Sequence, residues 1–128
     1  MITLIFIALF GALGSLIRFH FGAYVHSSIN SALASEKQFP FGTLFVNIAG
    51  CFVLGLLTGL SMNWGMSPFL LGVLGTGFCG ALTTFSTVAV DVQRFLRDRR
   101  YVHAAVDLGL SIFAGAGATW AGFILTNR

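Results

Sequence analysis

Gly72-Val-Leu-Gly-Thr-Gly-Phe-Cys-Gly-Ala-Leu-Thr-Thr-Phe-Ser-Thr87 is an apolar stretch with four glycines in nine residues, followed by a cluster of hydroxyl side chains. Each glycine weakens a helix by about 1 kcal/mol relative to alanine, and Thr and Ser can bond released backbone groups. Such backbone is tolerated at membrane depth only where protein, water or an ion satisfies it. We therefore predict a central helix break between residues 77 and 84 whose carbonyls favour a cation. The alternative is that the hydroxyls bond back to their own helix, which then only bends.

The rest of the chain has the composition of a membrane protein. It is 128 residues long, 56% apolar and 9% charged, against about 25% charged residues in soluble domains. Four membrane helices of about 20 residues would use about 80 residues, which leaves short loops and no further domain. We predict an all-α membrane protein with one domain, 1–128, and spans at about 2–25, 41–60, 68–92 and 101–125.

This composition argues against soluble enzymes, nucleic-acid-binding proteins and disulfide-stapled secreted domains, since these need polar surface, a basic face or paired cysteines. No nucleophile-base pair and no phosphate-binding loop points to an enzyme. Cys51 and Cys79 lie alone in apolar stretches, so we expect them to pack. His20, His26 and His103 lie near span ends, where we expect packing rather than metal binding.

The basic residues are distributed unevenly over the two predicted sides of the membrane. The loops at 26–40 and 94–100 share one side and hold Lys37 and four arginines, whereas Arg128, the amino terminus and a turn at 61–68 share the other. The positive-inside rule then places both termini outside the cytoplasm of a multi-pass inner-membrane protein. A homodimer of two oppositely oriented copies should show little such bias.

Glycines also lie inside the other spans, and Gly55 and Gly59 have small-xxx-small spacing. This spacing lets helices approach closely in lipid, where packing replaces the hydrophobic effect as the driver of association. We expect this face to pack within the four-helix bundle or in a dimer.

Three segments carry a family resemblance: Gly11-Ala-Leu-Gly-Ser-Leu-Ile-Arg18, Phe41-Gly-Thr-Leu-Phe-Val-Asn-Ile-Ala-Gly50 and Gly77-Phe-Cys-Gly-Ala-Leu-Thr-Thr-Phe-Ser-Thr87. In this order, in a four-span chain of this length, they resemble the small dual-topology fluoride channels called Fluc or CrcB. The resemblance covers nearly the whole chain. It implies an antiparallel dimer with two narrow fluoride pathways along its interface. It also implies a central structural sodium ion, held by backbone carbonyls that correspond to Gly80 and Thr83.

The resemblance also indicates which side chains line a fluoride pathway. The Asn47 amide can replace water by donating two N–H bonds, and Phe85 offers the positive edge of its ring. Arg18 is costly in a span unless it reaches a polar partner or the interface, so an electrostatic or structural role is expected. The hydroxyl groups assigned to the pathway belong to Thr43, Thr84, Ser86, Ser111 and Thr119.

Each of these residues also has a purely structural interpretation. Asn47 would then be a buried amide satisfied by neighbouring backbone, and Phe85 would contact lipid or pack. The hydroxyls of Ser111 and Thr119, eight residues and about 12 Å apart along one helix, would bond carbonyls of their own helix.

The chain departs from the family pattern at three positions. Val88 stands where a second pore phenylalanine is usual, Gly115 where a serine is common, and Asp107 where a neutral residue is expected. Together with the uneven basic loops, these departures favour the hypothesis that the chain pairs with an oppositely oriented homologue. In such a heterodimer one pathway would work and the other would be degenerate.

Two rival functions come from other classes. A small proton-coupled multidrug exporter needs an intramembrane carboxylate, usually in the first span, but Asp107 is the only acidic residue well inside a predicted span. A non-conducting assembly subunit would leave Asn47 and the broken span without a purpose. We therefore predict passive fluoride export, since hydrogen fluoride enters cells uncharged, ionises in the cytoplasm and is trapped there as the anion.

Overall fold

The computed structural model describes residues 1–33 and 39–127, and it is all-α. These described residues contain no strand, and four of their segments are long and apolar enough to cross a membrane. The predicted fold class is confirmed. Lys37 and Arg128, on which part of the orientation prediction rests, lie outside the described residues. In chain order the elements are α1 (Ile2–Leu33), α2 (Phe41–Trp64), α3 (Pro68–Leu71), the π-helix π1 (Gly72–Cys79), α4 (Gly80–Leu82), α5 (Phe85–Arg97) and α6 (Tyr101–Thr126).

Two helices continue beyond the membrane spans predicted for them. Residues 26–33, expected to begin a loop, extend α1, and the third span continues to Arg97. Asn30 explains the first extension: its side chain is buried, and its Nδ2 donates to the His26 carbonyl at 2.9 Å and the Phe39 carbonyl at 3.4 Å. A polar residue thus stabilises helix where polarity alone predicts a loop.

The turn predicted at 61–68 is present but shorter, between Trp64 and Pro68. Gly65 ends α2 in the left-handed conformation, with φ 66°, which glycine adopts without the penalty of a Cβ. Ser67 begins α3, where its Oγ accepts from the Leu70 N–H at 3.2 Å. Within α2, the amide of Asn63 donates to Oδ1 of Asn127 at 2.7 Å, so the turn is tied to the end of α6.

Glycine brings α2 and α6 together in a close seam. A Cβ on Gly55 would collide with the Thr119 backbone, and one on Gly122 would collide with the Phe52 carbonyl. The two backbones therefore approach where small residues permit it. The small-xxx-small face of Gly55 and Gly59 packs within the chain, which is one of the two arrangements predicted.

A second glycine contact holds α1 against the third span. A Cβ on Gly14 would lie 2.5 Å from the Phe78 carbonyl oxygen, and a Cβ on Gly77 would lie 2.9 Å from that of Ile7. Cys79, in π1, is 1% exposed and makes no disulfide, in agreement with the packing role predicted. The glycine-rich segment is thus pressed against α1 in the interior of the bundle.

Candidate functional site

The break in the third span occupies two residues, Thr83 and Thr84. Both have extended backbone, with φ −87° and ψ 150° at Thr83 and φ −151° and ψ 123° at Thr84. The four glycines upstream do not break the helix; they lie in π1 and at the start of α4. The predicted break is confirmed, but only at the end of its predicted range.

Asn47 of α2 bonds both backbone groups of Thr84. Its Nδ2 donates to the Thr84 carbonyl at 3.0 Å, and its Oδ1 accepts from the Thr84 N–H at 2.8 Å. Unpaired backbone groups inside a membrane protein are costly. This pair of hydrogen bonds therefore stabilises the extended conformation of Thr84. This contact agrees with the structural interpretation of Asn47, in which neighbouring backbone satisfies its buried amide. It uses one of the two amide hydrogens.

The threonine hydroxyls of the break have different partners. Thr83 Oγ1 donates to the Cys79 carbonyl at 3.1 Å, as in the alternative where hydroxyls bond back to their own helix. Thr84 instead caps α5: its Oγ1 accepts from the Thr87 N–H at 3.4 Å and lies 2.9 Å from the Ser86 hydroxyl. The break therefore separates one helix end from a new, capped helix start.

Arg18 of α1 reaches the end of α4. Its Nη1 donates to the Ala81 carbonyl at 2.9 Å. The last carbonyls of a helix lack partners and carry partial negative charge. A guanidinium satisfies one of these carbonyls and compensates that charge, so Arg18 bonds the helix end before the break while Asn47 bonds Thr84 within it.

The two carbonyls predicted as sodium ligands have both lost their usual helical donor. In a continuous helix, Gly80 would accept from the Thr84 N–H and Thr83 from the Thr87 N–H. Here the Thr84 N–H donates to Asn47 and the Thr87 N–H to the Thr84 hydroxyl. Backbone carbonyls released in this way are oxygen ligands of the type that hard cations bind.

Beside the break lies a cavity of about 370 Å³ between α1, α2 and α5. It brings together three of the predicted pathway residues with Arg18. Among its polar lining residues are Arg18, His26, Thr43, Asn47, Thr84 and Thr87. Positive charge, hydroxyl groups, an amide and the amino-terminal end of α5 meet here, and each of these attracts or bonds an anion.

A second cavity, of about 240 Å³, shares His26, Thr43 and Thr87 with the first. It is also lined by Asp91 and Arg94, whose side chains form an ion pair at 3.7 Å. The two cavities together form a polar vestibule that runs from the break toward the basic end of α5.

Sequence reasoning missed the vestibule roles of His26, Asp91 and Arg94. The signal was available in α5, since Thr87, Asp91 and Arg94 follow i, i+4, i+7 spacing and so share one helix face. His26 likewise lies eight residues after Arg18 on α1. It was expected only to pack near a span end, yet it lines both cavities.

Phe85 and Ser86 lie at the start of α5 and outside both cavity linings. The Phe85 ring is 68% exposed in the single chain. Val88, one turn later, is 2% exposed and belongs to the core. The missing second phenylalanine is therefore a change within the packed interior of this chain.

The predicted hydroxyl track of α6 is not brought to the vestibule. Thr119 Oγ1 donates to the Gly115 carbonyl at 3.1 Å, which is the structural alternative for this residue. The Ser111 Oγ is buried and has no hydrogen-bond partner among the described residues. Gly115 is buried against Cys51, whose Sγ would lie 3.4 Å from an added Cβ.

Comparison with known proteins identifies the family of this chain. The family profile described as CrcB-like protein, Camphor Resistance (CrcB), matches residues 5–123. The chain belongs to the CrcB family. The match includes the break, Asn47 and Arg18, so the site described here lies in the part of the chain that defines CrcB membership.

Several curated CrcB relatives are similar over nearly their full length. "Fluoride-specific ion channel FluC 2" of Rhodococcus jostii is 44% identical and covers 98% of this chain and 99% of its own. "Fluoride-specific ion channel FluC" of Geobacter metallireducens is 39% identical over 100% of this chain and 98% of its own. The archaeal protein of the same name from Thermococcus onnurineus is 40% identical over 95% and 94%.

Proposed function

We propose that this chain is a subunit of a passive, fluoride-selective channel that releases cytoplasmic fluoride across the inner membrane. One observation carries the proposal: Asn47 and Arg18 hold open a broken helix beside an anion-attracting vestibule, in a chain 44% identical to a fluoride-specific channel. Membership of CrcB makes the protein a transporter rather than an enzyme.

The vestibule supplies the chemistry that a small, strongly hydrated anion needs. Fluoride gives up water only where other donors replace it, and the hydroxyls of Thr43, Thr84 and Thr87 line the space. The amide of Asn47 has a second hydrogen beyond the one bonded to Thr84. Arg18 and the start of α5 add positive potential, so an anion is drawn toward the break.

Fluoride selectivity in this proposal depends on a second, antiparallel copy. Phe85 and Ser86 are exposed at the surface of the single chain, where a partner would enclose them and narrow the route. Large apolar side chains are exposed along all four membrane helices, among them Leu4, Phe45, Phe85 and Phe113. Lipid and the partner subunit would cover them.

A sodium ion at the dimer centre completes the proposed assembly. The released carbonyls of Gly80 and Thr83 would hold it, and the ion would supply the positive charge that compensates both carbonyl dipoles. Thr83 is only part-buried and Gly80 is exposed in the single chain, so a second copy could contribute matching carbonyls. This role would be structural, with no part in moving fluoride.

The export direction follows from acid chemistry and needs no energy coupling. Hydrogen fluoride enters uncharged and is trapped as the anion in a more neutral cytoplasm, so an open pathway lets it leave down its gradient. Proton-coupled drug export has less support, because Asp107 lines neither vestibule cavity.

Growth of a bacterial strain that lacks its own fluoride channel tests this proposal in cells. Expression of the chain should restore growth in fluoride medium, most visibly at acidic pH, where more hydrogen fluoride enters. Asn47→Asp should not restore growth at equal membrane abundance. Rescue only when an oppositely oriented homologue is co-expressed would assign the chain to a heterodimer, and no rescue in either case would contradict fluoride export.

A further inference from the structure

One acidic residue in the membrane part of the chain is buried without a partner. Asp107 of α6 is 1% exposed, and neither carboxyl oxygen has a hydrogen-bond partner among the described residues. One turn later on the same helix, the buried Ser111 Oγ also has none. The two side chains are therefore neighbours on one face of α6, separated by the i, i+4 spacing.

Within the described residues, no positively charged side chain forms an ion pair with Asp107. From α5, which packs against α6, Asp91 presents a second carboxylate, and this carboxylate forms an ion pair with Arg94 at 3.7 Å. Asp91 is itself 7% exposed. The buried carboxylate of α5 is thus paired with an arginine of its own helix, whereas Asp107 has no such pair among the described residues.

The remaining titratable groups of α6 and its start form no hydrogen bond or ion pair with Asp107 among the described residues. The Arg100 guanidinium lies over the Phe95 ring, with 4.9 Å from Cζ to the ring centroid, and its buried Nε and Nη2 have no hydrogen-bond partner in the described part of the chain. The His103 ring packs against the same phenylalanine at 5.7 Å. From α2, the neighbouring ionisable group is Cys51, which contacts Gly115 two turns beyond Asp107.

An ionised Asp107 in this position would be a buried, unpaired charge beside another carboxylate. Burial of an unpaired charge is far more costly than burial of the neutral acid, and two neighbouring carboxylates disfavour simultaneous ionisation. The neutral acid also offers an O–H donor. The surroundings of Asp107 therefore suit a carboxyl group that holds a proton.

We propose that Asp107 is a proton-binding site within the membrane part of this chain, and that its proton permits fluoride to pass the adjacent Ser111. The second half of this statement rests on the proposed function and extends its pathway to Ser111, which lines neither vestibule cavity. An ionised carboxylate about 5–6 Å from the serine Cβ would repel the anion. The protonated form removes that charge and adds a donor.

Infrared spectroscopy tests the proton site without reference to transport. The purified protein at about pH 5 should show the carbonyl stretch of a neutral carboxylic acid. Asp107→Asn should lack this band, and Asp98→Asn, a matched change at the exposed end of α5, should retain it. The chain has only four acidic residues, so the assignment is tractable. No such band in the wild type, or a band whose intensity Asp107→Asn leaves unchanged, would overturn the proposal.

A monovalent cation is the other occupant that a carboxylate and a hydroxyl could take. The infrared comparison distinguishes it, because a cation would hold Asp107 ionised. A carboxylate stretch that shifts when sodium replaces potassium, and disappears in Asp107→Asn, would therefore replace the proton with a cation and contradict the proposal. A spectrum that is insensitive to this exchange supports the proton.

Fluoride efflux at different pH values tests the link to transport. From about pH 5 to about pH 9, above the ordinary titration range of an exposed aspartate, efflux through wild type should fall on the order of tenfold. Asp107→Asn should be insensitive to pH, and Asp98→Asn should follow the wild type. Equal pH dependence in wild type and Asp107→Asn would remove the link. No efflux from any variant would contradict the proposed function, and the infrared result would still decide the proton site.

Discussion

The α2–α6 seam and the vestibule beside the break both form where helices come close, but their polar side chains bond different partners. In the seam, Thr119 bonds its own helix, and Gly55 brings two intact backbones into contact. At the break, Asn47 bonds the backbone of another helix and leaves an adjacent cavity of about 370 Å³. Glycine therefore allows the close helix packing of the bundle, and side chains that bond the backbone at the helix break form the site.

Among these changes, Asn47→Asp should have the largest effect, and it should act on the vestibule rather than on the α2–α6 seam. The change removes the donor to the Thr84 carbonyl and places negative charge at the vestibule, so fluoride efflux should fall at least about 100-fold, equivalent to about 2.7 kcal/mol. Efflux from liposomes measures this, with dimer content checked by size-exclusion chromatography. Asn63→Asp makes the same chemical change at the other end of α2 and should keep efflux within about twofold of wild type. Normal efflux through Asn47→Asp would place the pathway elsewhere.

Gly55→Ala should damage the seam and leave the chemistry of the vestibule unchanged. The added methyl would meet the Thr119 backbone, and overpacking of this kind costs about 1–3 kcal/mol. A lower thermal unfolding temperature should result, with near-normal efflux per folded dimer. Gly117→Ala is the matched control because its Cβ would meet open space; it should be as stable as wild type or more stable. Equal stability of both variants would show that the seam is not close packed.

Arg18→Gln should weaken both the support of the break and the attraction of anions. Glutamine keeps hydrogen-bond donors but removes the charge facing the end of α4, so efflux should fall about tenfold. Raising the salt concentration should reduce the difference between wild type and variant, since part of the effect is electrostatic attraction. A variant with wild-type efflux at low salt would limit Arg18 to packing.

Phe85→Ile should have a smaller effect, at the dimer surface. It preserves apolar bulk but removes the ring edge that can face an anion, so efflux should fall severalfold, by about 1 kcal/mol. The dimer should remain intact on size-exclusion chromatography. Unchanged fluoride efflux would remove this ring from the pathway and leave it as packing surface.

Thr119→Val should have the smallest effect of these changes. Its hydroxyl bonds the Gly115 carbonyl within α6, so replacing it with a methyl group should change efflux by less than about twofold. Ser111→Ala is the informative companion, because the Ser111 hydroxyl is buried without a partner. A larger loss of fluoride efflux from Thr119→Val than from Ser111→Ala would indicate that the Thr119 hydroxyl lines the pathway.

The sequence predicts the frame well because the frame depends on local properties. Apolar length predicts the four spans, and clustered glycines and hydroxyls predict the broken one. The exact break is less predictable, since glycine propensity points to residues 72–80 whereas Thr83 and Thr84 break. The reason lies 37 residues away, in the Asn47 amide, and no local pattern shows that contact.

The polar vestibule was only partly predictable for a related reason. Asn47, Thr43 and Arg18 stand out as polar residues in apolar spans, but His26 and Asp91 lie near span ends, where polar residues are ordinary. Only the tertiary arrangement of α1, α2 and α5 around one cavity places both of them on its lining. The extension of α1 to Leu33 has a similar origin, because buried Asn30 bonds the Phe39 carbonyl beyond the end of the helix.

Fluoride and chloride efflux from liposomes that contain only this purified chain tests the central claim most directly. Ion-selective electrodes would follow both anions from the same vesicles, with empty vesicles as the baseline. The account predicts fast fluoride release while chloride is retained. Equal release of the two anions, or no fluoride release from a folded dimer, would contradict a fluoride-selective pathway formed by this chain.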